Sequence, residues 1–303
     1  MENNNRKKEY NKSVKEVLIY KKLGNKKTQC GVCEHHCKIA HGQRGICGVR
    51  ENRNGKLYAL NYGKTISVAI DPIEKKPFYH FLPRSCIYSI ATVGCNFRCD
   101  WCQNWQISQS PKPKNEILGE DISPKEHLET ALKSGCPSIA YTYTEPTIFV
   151  EYALDIMKLA QKAGLKNVWV SNGFMSKKTL EKIIPYLDAA NIDFKGPDDK
   201  VYQKYCGGRS EPIMRNLEIL YKAGVHLEIT TLIVPDVNDK KKQLEFIADF
   251  IAKKLSLEIP WHISRFFPAW KMSDTPTTPI KTLKTAKKIG EKAGLKNIYL
   301  GNI

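Results

Sequence analysis

The feature that most constrains the fold of this chain is a helix ending, Lys-Ser-Gly or Lys-Ala-Gly, that occurs four times and is each time followed by an apolar run. Lysine is favoured in the last turn of a helix, where the helix dipole places partial negative charge, and glycine adopts the left-handed conformation that ends a helix. The pattern therefore predicts four helices that lead directly into strands. The endings are at residues 133–135, 162–164, 222–224 and 292–294.

Helix starts agree with this alternation. Ser123, Pro124 and Glu126 match a capping box, and Thr278-Pro279 opens the last helical pattern. Runs rich in Val, Ile, Thr and aromatic residues predict strands near residues 86–93, 138–144, 167–171, 190–194, 226–233, 260–266 and 297–300. Right-handed crossovers then wind an α/β fold with a parallel sheet, either doubly wound or a full or partial barrel. In such folds the chemistry lies where the strands end.

Charge and hydropathy limit the cellular location and the partners to be expected. The chain begins without the apolar core of a signal peptide, and no run approaches the roughly 18 apolar residues of a membrane span, so we expect a cytoplasmic protein that does not enter a membrane. Lys and Arg number 48 against 31 Asp and Glu, a net charge of +17. This charge favours anionic partners. No localised basic stripe interleaved with aromatic residues is visible, so a solvated lysine-rich surface is favoured over nucleic-acid binding.

We divide the chain into a polar tail at residues 1–29, a Cys-rich module at 30–80 and a core domain at 81–303. The glycine-rich module is too small to bury much apolar surface, and a bound metal would supply the stability that burial cannot. A hairpin is expected to turn at Asn54-Gly55. A short helix in the tail is predicted from the spacing of Val14, Val17, Leu18 and Leu23.

The chain has ten cysteines, which is many for a compartment where disulfides rarely persist. Four of them form a cluster in the module, and their spacing leaves structural zinc, an auxiliary 4Fe-4S cluster or free thiols open. The isolated residues Cys86, Cys136 and Cys206 are expected to be small buried apolar residues. The clustered residues are Cys30, Cys33, Cys37 and Cys47.

A second group of cysteines directly follows the first predicted strand, in the run Gly94-Cys95-Asn96-Phe97-Arg98-Cys99-Asp100-Trp101-Cys102. Structural zinc needs four ligands, and this loop contains no histidine to complete a tetrahedron. Three cysteines on a four-iron cluster leave one iron free to bind another molecule. The spacing favours iron-sulfur over zinc with a distant fourth ligand or redox thiols, and all three interpretations stay open.

The Cys-x3-Cys-x2-Cys pattern, with Trp101 before its third cysteine, resembles the signature of the radical S-adenosylmethionine (radical SAM) superfamily. The segment Asp71-Pro-Ile-Glu-Lys-Lys-Pro-Phe-Tyr-His80-Phe, with Gln103-Asn104-Trp105 after the cysteines, resembles the radical SAM enzyme of the AmmeMemoRadiSam system, a group similar to pyruvate formate-lyase activating enzymes. The resemblance implies a six-unit partial (β/α) barrel. It also implies a 4Fe-4S cluster on Cys95, Cys99 and Cys102, which cleaves SAM to a 5'-deoxyadenosyl radical that abstracts hydrogen from a substrate.

Residues at the other predicted strand ends match the same family. The resemblance implies that they bind SAM, the acidic one receiving its ammonium group. Thr144 replaces a glycine of the family motif, and Val170 replaces an acidic residue that activating enzymes carry, which weakens the activating-enzyme interpretation. The implied SAM-binding residues are Trp101, Thr144, Glu145, Ser171, Asn172, Asp193, Lys195 and His262.

The resemblance also implies partners: an electron donor such as flavodoxin or ferredoxin, and Memo-like and Amme-like proteins. Two other functions remain open. A glycyl-radical activating enzyme would act on the backbone of another protein, and an RNA-modifying enzyme would use the positive charge. The sequence does not identify the hydrogen that is abstracted.

Overall fold

The computed structural model, which describes residues 14–114 and 116–303, contains one large sheet of eight strands in chain order. The first two strands run antiparallel, and every later neighbour is parallel. The strands are β1 (Ser67–Pro72), β2 (Cys86–Ala91), β3 (Ser138–Tyr141), β4 (Lys166–Ser171), β5 (Ala189–Asp193), β6 (His226–Ile233), β7 (Trp261–Arg265) and β8 (Ile298–Gly301).

Six principal helices connect the parallel strands from β2 to β8. Each predicted Lys-x-Gly ending is found at the end of one of them, with its glycine at positive φ, and the capping box of Ser123 and Glu126 is formed. This arrangement of six strand-helix units confirms the predicted partial (β/α)6 barrel. The helices are α1 (Pro124–Lys133), α2 (Val150–Lys162), α3 (Lys177–Ile183), α4 (Glu211–Lys222), α5 (Lys241–Phe250) and α6 (Ile280–Lys292).

Shorter elements lie in the connections. Strand Lys64–Thr65 pairs with strand Glu120–Asp121. The short helical segments are Ile73–Lys75, Trp105–Ser108, Pro111–Lys114, Pro146–Phe149, Ile184–Tyr186, Asp199–Val201, Tyr202–Cys206, Ile251–Leu255 and Trp270–Met272.

The two faces of the sheet pack against different partners. Side chains on the convex face, such as Tyr141 and Trp169, belong to the main apolar core with the helices. On the concave face a smaller cluster fills the end where the strands begin, and it includes Ile73 and Phe78 from the segment between β1 and β2. The opposite end of the concave face is therefore left for the functional site.

The N-terminal region forms two small antiparallel sheets. Asn54 and Gly55 both have positive φ, 53° and 82°, between strands Arg50–Arg53 and Lys56–Ala59, which confirms the predicted hairpin. The other strands are Lys15–Glu16, Tyr20–Lys22, Thr28–Cys30 and Lys38–Ile39. A buried ion pair ties this region to α2: the Arg50 guanidinium donates to the Glu151 carboxylate at 2.7 and 3.1 Å.

The short helix predicted in the polar tail is wrong. The residues after position 13 form the strands Lys15–Glu16 and Tyr20–Lys22, and residues 1–13 of the tail lie outside the described part of the chain. Val17 and Ile19 are buried while Leu18 is exposed. This alternation has the period of a strand, which the sequence analysis read as helical spacing.

Two further expectations differ from the structure. Residues 67–72, assigned to the Cys-rich module, form β1 and extend the core sheet. Cys86 and Cys136, expected as separate apolar residues, form a disulfide with their Cα atoms 5.1 Å apart. They meet because Cys86 begins β2 and Cys136 precedes β3, and neighbouring parallel strands begin at the same edge of the sheet.

Candidate active site

A pocket of about 340 Å³ opens where the parallel strands end. Thr142, Ser171, Asp193, Leu232 and Ser264 line it, one from the end of each strand between β3 and β7. The pocket brings together ten of the residues predicted from the sequence: Cys95, Cys99, Trp101, Cys102, Thr144, Glu145, Ser171, Asn172, Asp193 and Lys195.

The loop that carries the three cysteines is held on both sides. Gly94 has φ of 99°, and a Cβ there would lie 2.9 Å from the Cys47 carbonyl oxygen, so only glycine fits between the loop and the N-terminal module. On the other side, the amide of Arg98 donates to the Cys206 carbonyl at 2.9 Å. The amide of Phe97 donates to Cys95 Sγ at 3.3 Å. The backbone therefore fixes the cysteines before any ligand is bound.

The three thiols differ in acidity. Burial raises the pKa of Cys95 and of Cys102. A hydrogen bond from Cys206 lowers the pKa of Cys99, against the effect of burial. Cys206 is fully buried, as expected, but it is also a neighbour of Cys99, which its isolated position in the sequence could not indicate.

Within the described part of the chain, Glu145 accepts four hydrogen bonds, more than the other acidic residue that lines the pocket, Asp193. Its Oε1 accepts from the amide and hydroxyl of Thr147 at 3.0 and 2.5 Å and from Ser171 Oγ at 2.8 Å. Among the described residues, its Oε2 accepts only the Asn172 amide, at 2.9 Å, and so keeps capacity for another donor. Burial raises the pKa of Glu145, so a cation bound nearby would favour its ionised form.

Two side chains link this carboxylate to its surroundings. Asn172 Nδ2 donates to Asn96 Oδ1 at 2.8 Å, which connects the Glu145 group to the cysteine loop. Thr144, which replaces a glycine of the family motif, donates its hydroxyl to the Thr92 carbonyl at 2.8 Å. Its side chain is therefore satisfied by the protein backbone.

Asp193 and Lys195 lie together at the end of β5, with Asp193 Oδ2 and Lys195 Nζ 2.9 Å apart. Only 6% of the Lys195 side chain is exposed, so this is not a surface ion pair. Burial disfavours the charged lysine, but the Asp193 carboxylate and the sulfurs of Cys99 and Cys206 outweigh burial and raise the pKa of Lys195. The lysine therefore stays positive beside the thiols.

A hydrogen-bonded group at the rim of the pocket is absent from the residues predicted to bind SAM or the cluster. Lys76 Nζ donates to Asp71 Oδ2 at 2.9 Å and to the Tyr143 hydroxyl at 2.8 Å. Hydrogen bonds from Lys76 lower the pKa of Asp71 to about 2. Tyr143 has φ of 62°, and its carbonyl accepts from Asn104 Nδ2 at 2.8 Å. Asp71, Lys76 and Asn104 belong to the segments quoted for the resemblance, which was the available signal.

Comparison with known proteins decides the family. Residues 89–250, more than half of the chain, match the model of the radical SAM superfamily. The chain belongs to this superfamily. It is therefore an enzyme that uses SAM and a 4Fe-4S cluster, and the pocket fits both because it offers three thiols, the ligand type of iron-sulfur clusters, beside a strongly hydrogen-bonded carboxylate.

Relatives and solved structures agree with this membership. The radical SAM chain is 46% identical over 290 residues to an uncharacterized protein of Methanocaldococcus jannaschii, an alignment covering 96% of this chain and 86% of the relative. It is 25% identical over 180 residues to the pyruvate formate-lyase-activating enzyme of Clostridium pasteurianum, covering 56% and 72%. A radical SAM methyltransferase from Sphaerobacter thermophilus shares the fold, with a TM-score of 0.56, 11% identity and coverage of 73% and 67%.

The structure does not bring His262 to the pocket that holds the three cysteines. Its Nε2 lies 2.6 Å from Glu228 Oε2, and His226 contacts the other carboxylate oxygen at 3.0 Å. The amides of Tyr79 and His80 also donate to Glu228. Burial opposes ionisation of Glu228, but these four hydrogen bonds together hold its pKa at about 2.

The position of His262 along β7 explains this difference. His262 and Ser264 are two residues apart on one strand and so lie on the same face, and Ser264 lines the pocket. Two residues of a strand span about 7 Å, so His262 lies one level below it. The histidine belongs to the closed end of the barrel.

The four cysteines of the N-terminal module also come together. Cys30, Cys33, Cys37 and Cys47 line one small cavity against the cysteine loop, with Asn96 of that loop on its wall.

The described residues include no helix that is both long and apolar enough to cross a lipid bilayer.

Proposed function

We propose that Cys95, Cys99 and Cys102 bind the 4Fe-4S cluster and that the neighbouring strand ends bind SAM, in an enzyme of the AmmeMemoRadiSam type that abstracts hydrogen from its substrate. The observation that carries this proposal is the single pocket that the three thiols share with Glu145, Ser171, Asn172, Asp193 and Lys195. A bound, reduced cluster supplies the electron that cleaves SAM to methionine and the 5'-deoxyadenosyl radical.

The residues of the chain divide the binding of SAM between two charges. Glu145 Oε2, which accepts one hydrogen bond from the part of the chain that the structure describes, receives the SAM ammonium group. The buried ammonium of Lys195 attracts the SAM carboxylate, while the half-exposed Asp193 accepts from ribose hydroxyls. A negative charge after β3 and a positive charge after β5 thus orient the cosubstrate.

The rest of the pocket keeps this arrangement rigid and limits water. Trp101 is 4% exposed and packs beside Tyr205, with the ring centroids 5.9 Å apart. Asn172 joins the Glu145 side of the pocket to the cysteine loop. A radical formed in such a site meets few stray hydrogen donors, which favours reaction with the bound substrate.

The test uses anaerobically purified, iron-reconstituted enzyme. We expect a reduced 4Fe-4S electron paramagnetic resonance signal that changes when SAM is added, together with release of 5'-deoxyadenosine. Cys99→Ala should lose both, whereas Cys136→Ser, whose cysteine lies outside the pocket, should retain both. If the native enzyme takes up iron but the signal ignores SAM and no nucleoside appears, the assignment of this pocket is wrong.

Membership of the AmmeMemoRadiSam type would also imply protein partners and a location in the cell. Support comes from residues 71–81 and 103–105, which match the AmmeMemoRadiSam enzymes in the sequence, and from the rim contacts of Lys76 and Asn104. We propose that the enzyme acts in the cytoplasm with Memo-like and Amme-like proteins. The net charge of +17 favours an anionic electron donor, such as flavodoxin or ferredoxin. Affinity purification against each partner, with reduction rates measured at low and high salt, tests this proposal.

A glycyl-radical activating enzyme is the second candidate, favoured by the similarity to the Clostridium pasteurianum enzyme. Val170, where activating enzymes carry an acidic residue, lines the pocket and offers no ligand for a cation. Formation of a glycyl radical in a partner enzyme incubated with this protein, SAM and a reductant would favour this candidate. Its absence with a competent partner would leave the first proposal.

A further inference from the structure

The N-terminal cysteines are arranged by tight backbone contacts. Cys30 ends strand Thr28–Cys30, and its amide donates to the Cys37 carbonyl at 3.0 Å. The backbone of Cys33 forms an isolated antiparallel β-bridge with Met175 of the core. Cys30, Cys33 and Cys47 are buried, and Cys37 is partly exposed. The fold thus holds four thiols around one cavity.

The sulfurs lie in a largely apolar environment, and burial raises the pKa of Cys30, Cys33 and Cys37. Backbone amides and the buried Arg50 guanidinium, which lines the same cavity, offset this effect only in part. Metal ions bind cysteine as thiolate, so an ion bound among the four sulfurs would replace their protons.

The size of the cavity limits the occupant. Its volume is about 10 Å³, compared with about 340 Å³ for the SAM pocket. A space of roughly 10–15 Å³ holds one water-sized particle. A single ion fits this space, whereas a cluster of four irons and four sulfides would need the apolar walls to move apart. Those walls include Val32, Ile39 and Ile148.

We infer that Cys30, Cys33, Cys37 and Cys47 bind one Zn²⁺ ion through four thiolates. Zinc in such sites is tetrahedral, with sulfur ligands at about 2.3 Å. Over residues 14–114 and 116–303, no three His, Cys, Asp or Glu side chains yet converge at single-ion distances, which applies equally to the three cysteines of the SAM pocket. The N-terminal thiols therefore close on the ion by side-chain rotation, releasing their protons.

The ion would brace the cluster loop. Cys47 presents its carbonyl to Gly94, the residue before Cys95. His35 Nε2 lies 2.8 Å from the Asn96 carbonyl oxygen, on the other side of Cys95. A rigid zinc site therefore fixes the backbone on both sides of the first predicted cluster ligand.

The experiment measures metal in full-length protein from which the SAM cluster has been removed by Cys95→Ala, Cys99→Ala and Cys102→Ala together. We expect one zinc per chain by elemental analysis and less than 0.2 iron. Adding Cys37→Ser to this variant should remove most of the zinc. His36→Ala is the matched control, because this exposed histidine is near the site but four sulfurs already complete it, and it should keep the zinc.

Replacing zinc by Co²⁺ in the triple variant provides a second readout. Tetrahedral cobalt on four thiolates gives intense sulfur-to-cobalt charge-transfer absorption, which Cys37→Ser should weaken and His36→Ala should leave unchanged. Four irons per chain in the triple variant, or no stoichiometric metal, would overturn the zinc assignment. Since the triple variant has no SAM cluster ligands, these outcomes are independent of the proposed function.

Discussion

Replacing Glu145 by Gln tests the proposed ammonium site directly. The substitution keeps the size of the side chain and removes its charge. A hydrogen bond to a charged group contributes about 1.5–3 kcal/mol, and each 1.4 kcal/mol is a factor of ten in affinity. Glu145 Oε2 has one protein donor and room for one ligand donor, so a single such bond is at stake. We expect the Kd of SAM to rise about 10- to 100-fold.

The assay is equilibrium dialysis of labelled SAM against cluster-loaded enzyme, with iron content and melting temperature measured for each variant. Thr147→Val is the matched control, since it removes one hydroxyl donor to Glu145, leaves the carboxylate charged and lies outside the pocket lining. It should weaken SAM binding less than fivefold. Because burial raises the pKa of Glu145, ammonium binding to the native enzyme should strengthen as pH rises through that pKa, and the dependence should vanish in Glu145→Gln.

One result would refute this reasoning. If Glu145→Gln binds SAM within twofold of the native enzyme, at equal iron content and equal melting temperature, the carboxylate does not receive the ammonium group. A loss of affinity accompanied by a matching loss of iron would instead assign Glu145 to the support of the cysteine loop, through Asn172 and Asn96.

Three other predictions follow from buried contacts. Arg50→Met should lower the free energy of unfolding by about 3–5 kcal/mol, because it leaves the Glu151 carboxylate buried without its partner. Adding Glu151→Leu to this variant should recover most of the loss, as measured by urea titration. Equal losses in the single and double variants would contradict this prediction. Burial lowers the pKa of His127 from an ordinary 6.5 to about 4, so the unfolded chain takes up a proton first as pH falls. The free energy of unfolding should therefore decrease by up to about 3 kcal/mol between pH 6.5 and 4. In His127→Gln the free energy of unfolding should change less with pH over that range. Cys206→Ala removes a hydrogen bond to Cys99 and should make the cluster midpoint potential more negative in redox titrations, while Cys206→Ser keeps a donor and should stay near the native value.

The fold was predictable because its signals are local. Buried parallel strands such as β3 are apolar along their whole length, and the Lys-x-Gly endings mark where helices stop. β1 was missed because it is an edge strand whose apolar residues Val68 and Ile70 face solvent, so its pattern does not indicate a buried face.

The site was predictable where its residues adjoin the ends of strands. Alternation along β7 indicates the face on which His262 lies, but it carries no information about depth within the barrel. The contact of Cys206 with Cys99 joins residues far apart in sequence, and the positive φ of Tyr143 depends on its neighbours in the folded chain. No local pattern could have indicated either feature.

The closed end of the barrel has a consequence for synthesis. Ile73 and Phe78 fill the concave face where the strands begin, and the amides of Tyr79 and His80 are held by Glu228, which lies 149 and 148 residues later. A ribosome adds about 5–20 residues per second, so about 7–30 s pass between synthesis of this apolar segment and synthesis of Glu228, which holds it. During that interval the nascent chain carries an apolar segment whose binding site is incomplete. This exposed segment is a site where chaperones can bind.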